Sequence, residues 1–318
     1  MSQKKNKNFI WAIVLTVAGF SLSLLESLNI PVRQEVDQWP FRYLLGMLIL
    51  LHLLYALIAF LGGKTREDFV KKAQFRFAMG LVLGIWDFLS TKMDILPLPF
   101  FPGPAQVTAI FVEDFDFIFV NTLYSLRLFL VGFLGGILLG VGTGILIGWF
   151  RRFHYWTFPI IKITGVIPAV AWMPFALTLL PNSFFAGAFL IAICAWFPVA
   201  FTTSQGMKDT PKIYYEVAST LGGKNAYKLF KVALPNAIPN IFNGISTANG
   251  LAFTTLVVSE MMGAEGGLGY YINWAKAWSS YDKVYVAIVI MAILFSLIMK
   301  LISFIENYLL RWKRGIVA

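Results

Sequence analysis

Few residues of this 318-residue chain have the types and spacing that catalysis needs. Gly62-Gly63-Lys64-Thr65 has the form of the tail of a phosphate-cradling loop. Such a loop needs a further glycine five residues before the last one. That position is Ile58, and the residues upstream read as a membrane helix rather than a strand. His52 and His154 stand far apart with no acidic cluster beside either. The one cysteine, Cys194, excludes an intramolecular disulfide and a cysteine-based zinc centre. Lone Ser and Asp residues have no partners at a useful spacing. The sequence therefore predicts no enzyme, no metal and no cofactor.

What remains is polar chemistry set in apolar sequence. Asn243, Ser246, Thr247, Gly250 and Thr254 fall within about 100° of one another at 3.6 residues per turn. In lipid such a stripe must face protein or water, so it either bonds a neighbouring helix or lines a wet translocation path. Arg127 and Glu260 lie toward the outer ends of their apolar segments and are expected to form a buried pair. The rival reading has Arg127 facing the pathway and attracting an anionic solute.

The elements that carry these residues are membrane helices. Hydrophobic residues make up 58% of the chain and charged residues 13%, with 30 phenylalanines; a soluble domain carries roughly 25% charged residues. A span needs about 20 apolar residues and must be helical, because lipid offers the backbone no partners. Eight spans are expected, at 9–29, 43–61, 76–92, 121–149, 160–180, 184–205, 236–262 and 284–310, the third being short and carrying Asp87. With a cytoplasmic N-terminus, 19 of the 26 Lys and Arg residues fall in or beside cytoplasmic segments and 5 in outer loops. That asymmetry places both termini in the cytoplasm. It also accounts for the net charge of +10 without a nucleic-acid partner. Lys4, Lys5 and Lys7 precede an apolar run too long for a cleaved signal peptide, so an uncleaved first span is expected.

The connections are informative. In the outer segment 93–120, Pro97, Pro99, Pro102 and Pro104 exclude a regular helix, and 105–119 is expected to lie as an amphipathic helix on the membrane. In the fourth span Gly132, Gly136, Gly140, Gly144 and Gly148 recur every four residues. They form a groove suited to tight helix packing, or to a sliding contact. In the cytoplasmic segment 206–235, Thr210-Pro211 is a helix start, Gly222-Gly223 a stop, and Asn225 a cap for a second helix ending before Pro235. Tyr214, Val217, Ala218 and Leu221 share one side of the first helix, an apolar knob suited to a partner's groove.

Here the chain resembles a known family. Glu216-Val217-Ala218-Ser-Thr-Leu221-Gly222, nine residues, then Val232-Ala-Leu234-Pro235 is similar to the signature loop of binding-protein-dependent ABC importer permeases. Leu98 to Val107, Asn121 to Arg127, Val258-Ser-Glu260-Met and Gly266-Gly-Leu-Gly269-Tyr resemble the nitrate, sulfonate and taurine branch. The usual Gly-x-Gly turn is missing around Pro181-Asn182-Ser183. The resemblance implies an all-α type I importer core over 76–318, with 1–75 supplying two extra spans and a basic loop. It implies a multi-pass protein of a bacterial or archaeal cytoplasmic membrane that moves a small anion inward by alternating access. The implied partners are a cytoplasmic ATPase dimer docked on 206–235, an extracytoplasmic substrate-binding protein and a second permease copy. The alternatives are a permease for a pyrimidine-type or riboflavin-type vitamin precursor, or an ion-driven secondary transporter. The latter would be marked by paired acidic residues deep in facing spans; an assembly protein would not need the signature loop.

Overall fold

The computed structural model describes residues 2–33 and 36–311. The side chains of Lys4, Lys5, Lys7 and Lys64, and the expected cytoplasmic segment beyond Arg311, lie outside the described residues. Every regular element described is helical. In order these are α1 (Ser2–Asn29), α2 (Trp39–Leu61), α3 (Gly63–Lys71) and α4 (Ala73–Asp87, followed by a π turn Phe88–Lys92). Next come α5 (Pro104–Glu113), α6 (Phe115–Trp149), α7 (Arg151–Val166), α8 (Met173–Leu179) and α9 (Ser183–Lys208). The last are α10 (Lys212–Thr220), α11 (Asn225–Tyr227), α12 (Leu234–Gly263), α13 (Leu268–Ala277) and α14 (Tyr281–Leu309).

Six helical stretches are long and apolar enough to cross a membrane, and a bent pair, α7 with 169–179, makes a seventh. The sequence predicts eight. The third expected span is α4, whose 15 residues reach 20 only through the π turn. The fifth is broken by 98° at Ile167-Pro168. Pro168 has no N–H to continue the helix, and the residue before a proline is driven to extended backbone, as Ile167 is at φ −77°, ψ 122°. The expected outer helix 105–119 also divides: α5 stops at Glu113 and the residues from Phe115 open α6.

Helix register shows what the bent pair does. Gly132 of α6 lies against Ala188 and Ile191 of α9, Gly136 against Ala192 and Ala195, Gly140 against Val199, Gly144 against Thr203 and Gly148 against Met207. The numbers rise together, so α6 and α9 run parallel. The chain between them must return across the membrane, and only α7 and α8 lie between. The same holds at the N-terminus. Gly19 of α1 meets Phe77, Gly80 meets the Gly19–Phe20 backbone, and Gly84 meets Ser23. Helices α1 and α4 are thus parallel, with α2 returning between them.

The chain forms two compact units, 1–118 with 274–288, and 119–273 with 289–318. Within the first unit α4 packs along α1. In the second unit α9 is central. One face holds α6; the other runs antiparallel to α12, with Gly206 against Ala237 and Asn240, Gly244 against Pro198 to Thr202, and Gly187 beside Ser259. Each glycine removes a Cβ and lets backbones meet, which substitutes in lipid for a hydrophobic driving force.

Candidate functional site: the coupling loop and the translocation face

The loop 206–235 is a compact structure hung from the ends of α6, α9 and α12. Helix α10 begins at Lys212 without a side-chain cap. Thr210, expected to cap it, is buried and accepts instead from Asn236 Nδ2 at 3.1 Å. The helix ends at Gly222, φ +78°. Gly223 N–H donates to the Ala218 carbonyl (2.7 Å) and Gly222 N–H to that of Ser219 (3.0 Å). These paired bonds close the last turn and need a left-handed residue, which glycine supplies without strain.

The apolar knob forms with one member changed. Ala218 is 5% exposed and faces inward, where Tyr215 packs with Trp149, Leu229, Met207 and Ala233. Its place on the outward face is taken by Ile213. Ile213, Tyr214, Val217 and Leu221 are all exposed, Leu221 by 80%. Glu216 is exposed beside them, and Leu234 and Pro235 are half-buried.

The second helix does not stop before Pro235, and Asn225 lies inside it rather than capping it. From Asn225 to Gly263 the chain is one helical stretch of 39 residues. A π turn at Lys228–Ala233 precedes Pro235, so the widened spiral sits where the proline ring and missing N–H would disrupt an α-turn. The loop is therefore continuous with the seventh expected span.

The polar stripe lies on α12. Asn243, Thr247 and Thr254 are exposed; Ser246 and Gly250 are half-buried. Thr247 and Thr254 donate to the carbonyls of Asn243 (3.0 Å) and Gly250 (3.1 Å) on their own helix. Among the described residues, the hydrogen bonds of Thr247 and Thr254 stay within α12, and the outer face of the stripe is exposed.

Arg127 and Glu260 are not a pair. Arg127 is exposed, with its guanidinium 5.1 Å over the Phe184 ring. Helix α6 has 35 residues, roughly 52 Å at 1.5 Å per residue, against a hydrocarbon core of about 30 Å. The helix is longer than the core is thick, and Arg127 is exposed on it rather than buried beside Glu260. Glu260 is 1% exposed, and its Oε2 accepts the Gly269 N–H at 2.8 Å. Gly267 N–H donates to Asn121 Oδ1 and Leu268 N–H to Ser125 Oγ, both at 2.8 Å. The first N–H groups of α13 thus find side-chain acceptors on α6 and α12. The motifs 121–127, 258–261 and 266–270 meet at this one turn. Sequence reading named Glu260 but missed Asn121 and Ser125 as caps. It also overlooked Glu26, which lies three residues beyond Ser23 on α1, as Asp87 lies three beyond Gly84 on α4, where Ser23 and Gly84 meet.

Residues 136–315 match the family of binding-protein-dependent transport system inner membrane components. The chain belongs to that family. One relative is the Bacillus subtilis permease SsuC, named for aliphatic sulfonate transport, 30% identical over 79% of this chain and 95% of the relative. The bicarbonate transport system permease protein CmpB of Synechococcus elongatus is 30% identical over 61% and 70%. The nitrate import permease protein NrtB of Leptolyngbya laminosa is 27% identical over 78% and 91%. The fold is shared with the inward-facing MetNI methionine ABC transporter, TM-score 0.54 and 20% identity over 62% of this chain and 98% of that one. An amino acid ABC transporter gives TM-score 0.53 and 17% identity over 63% and 97%. This permease is accordingly a multi-pass inner-membrane component of an ABC importer.

Proposed function

We propose that this permease imports a small anion of the nitrate, bicarbonate or sulfonate class, and that a separate cytoplasmic ATPase drives it through the loop 206–235. The observation that carries this reading is the exposed apolar face of α10, Ile213, Tyr214, Val217 and Leu221, on a loop continuous with α12. A partner groove gripping that face moves α12 with it, and α12 carries the stripe Asn243, Thr247 and Thr254. A second permease copy completes the pathway opposite the stripe, and an extracytoplasmic binding protein delivers solute. The anion class rests on the relatives' names and on the exposed guanidinium of Arg127.

The rival reading is ion-driven transport; Glu26 and Asp87 are acids in packed helices, but they lie at the ends of α1 and α4 rather than deep in facing spans, and outside the matched segment 136–315. Reconstitution separates the two. Vesicles holding the permease, its ATPase and its binding protein should take up nitrate, bicarbonate or a sulfonate when ATP is supplied, with ionophores present. Uptake that needs an ion gradient and ignores ATP would favour the rival reading.

A further inference from the structure

The acids just named sit in a buried charged cluster where α1, the start of α2 and the end of α4 meet. Asp87 is fully buried, and neither of its oxygens has a hydrogen-bond partner; both oxygens of Glu26 are likewise buried and unpartnered. The two cations beside them are committed elsewhere. Lys92 Nζ donates to the Ile30 carbonyl at 2.9 Å, with Gln38 Oε1 at 3.4 Å and the Ser27 carbonyl at 3.5 Å; Asp87 Oδ2 is 4.0 Å away. Arg42 donates to the Ser27 carbonyl (2.7 Å) and to Ser27 Oγ (3.2 Å). The Ser27 hydroxyl goes to Gln38 Oε1 and the Ser90 hydroxyl to the Trp86 carbonyl. Thr91 and Gln38 stand beside Asp87 without completing a bond to it.

A buried carboxylate loses water's donors and must gain others, and two neighbouring carboxylates oppose each other's charge. Here the two cations donate to carbonyls, and the Gln38 amide N–H group is itself unpartnered. Lys92 answers one negative charge, and Arg42 lies at the half-buried rim. The cheapest remedy is a proton on one acid. We propose that Glu26 and Asp87 form a proton-binding site holding one exchangeable proton between them, with Lys92 balancing the remaining charge. Protonation adds one H⁺ from the aqueous phase and removes one negative charge; no other bond changes. The inference does not depend on the transport reading.

Difference infrared spectroscopy on the full-length permease in detergent tests it. At a pH where exposed carboxyls are ionised, the wild type should show a protonated-carboxyl stretch sensitive to H/D exchange. Glu26→Gln and Asp87→Asn should each abolish it, and Glu260→Gln should leave it. Should either amide variant fail to fold, Glu26→Asp and Asp87→Glu keep the acid and should shift the band instead. A spectrum without that band, or a band indifferent to changes at both positions, would overturn the proposal and leave a plain ion-pair network.

Discussion

Glu260 and Gly269 are joined by a 2.8 Å hydrogen bond from the Gly269 N–H to Glu260 Oε2, buried beneath the turn between α12 and α13. The carboxylate serves the backbone, not a cation. Gly267, φ +111°, carries the turn over it, and a Cβ there would collide with that same carboxylate.

The first prediction concerns that turn. Glu260→Leu removes that bond and leaves a buried N–H unmet, a loss of about 1–3 kcal/mol. Arg127→Leu should cost far less, since Arg127 is exposed and not Glu260's partner. Thermal unfolding in detergent should show a lowered midpoint for Glu260→Leu and little change for Arg127→Leu. Equal losses, or recovery in the double variant, would restore the buried pair.

Packing of α6 on α9 gives the second. A Cβ at Gly140 would come within 2.7 Å of Val199 Cβ, whereas nothing lies within 4 Å at Gly142. Gly140→Leu should lower folded membrane protein, overpacking costing about 1–3 kcal/mol. Gly142→Leu should be tolerated. Size-exclusion profiles of the two variants decide it, and normal yield of Gly140→Leu would argue against a fixed seam.

The stripe supplies the third. Single cysteines at Asn243, Thr247 and Thr254, in a Cys194→Ser background, should react with a water-soluble thiol reagent. Their rates should change when the ATPase and ATP are added. Silence at all three positions would mean the stripe faces lipid or a sealed contact.

Gly222 is the subject of the fourth. At φ +78° a side chain is strained by about 1 kcal/mol or more. Gly222→Asp should still insert, because the site has open space around it, but uptake should fall sharply as the turn beside the docking face distorts. Undiminished uptake would remove the turn from the coupling surface.

Much of this was legible in sequence for reasons that can be named. The period-four glycines of α6 marked a close helix contact because nothing but small side chains permits one. The spacing from Glu216 to Pro235 marked the loop because its turn needs a left-handed residue at one point. The misses share a different cause. Thr210, Asn225 and Glu260 were assigned by side-chain type, but their partners are Asn236, a helix interior and a backbone N–H, which three-dimensional register alone brings together. The break at Pro168 was hidden inside an apolar run. Glu26 was overlooked because a single acid in an apolar helix says nothing until Asp87 packs beside it.

On the proposed function, the exposed face of α10 passes the work of an ATPase to the membrane helices. ATP-driven anion uptake into vesicles by wild type and Leu221→Asp tests it most directly. Leu221 is 80% exposed, so the variant should fold and insert as the wild type does. Leu221→Asp should show background uptake only, with the ATPase no longer retained on the vesicles. Wild-type uptake by Leu221→Asp with the ATPase still bound would contradict it.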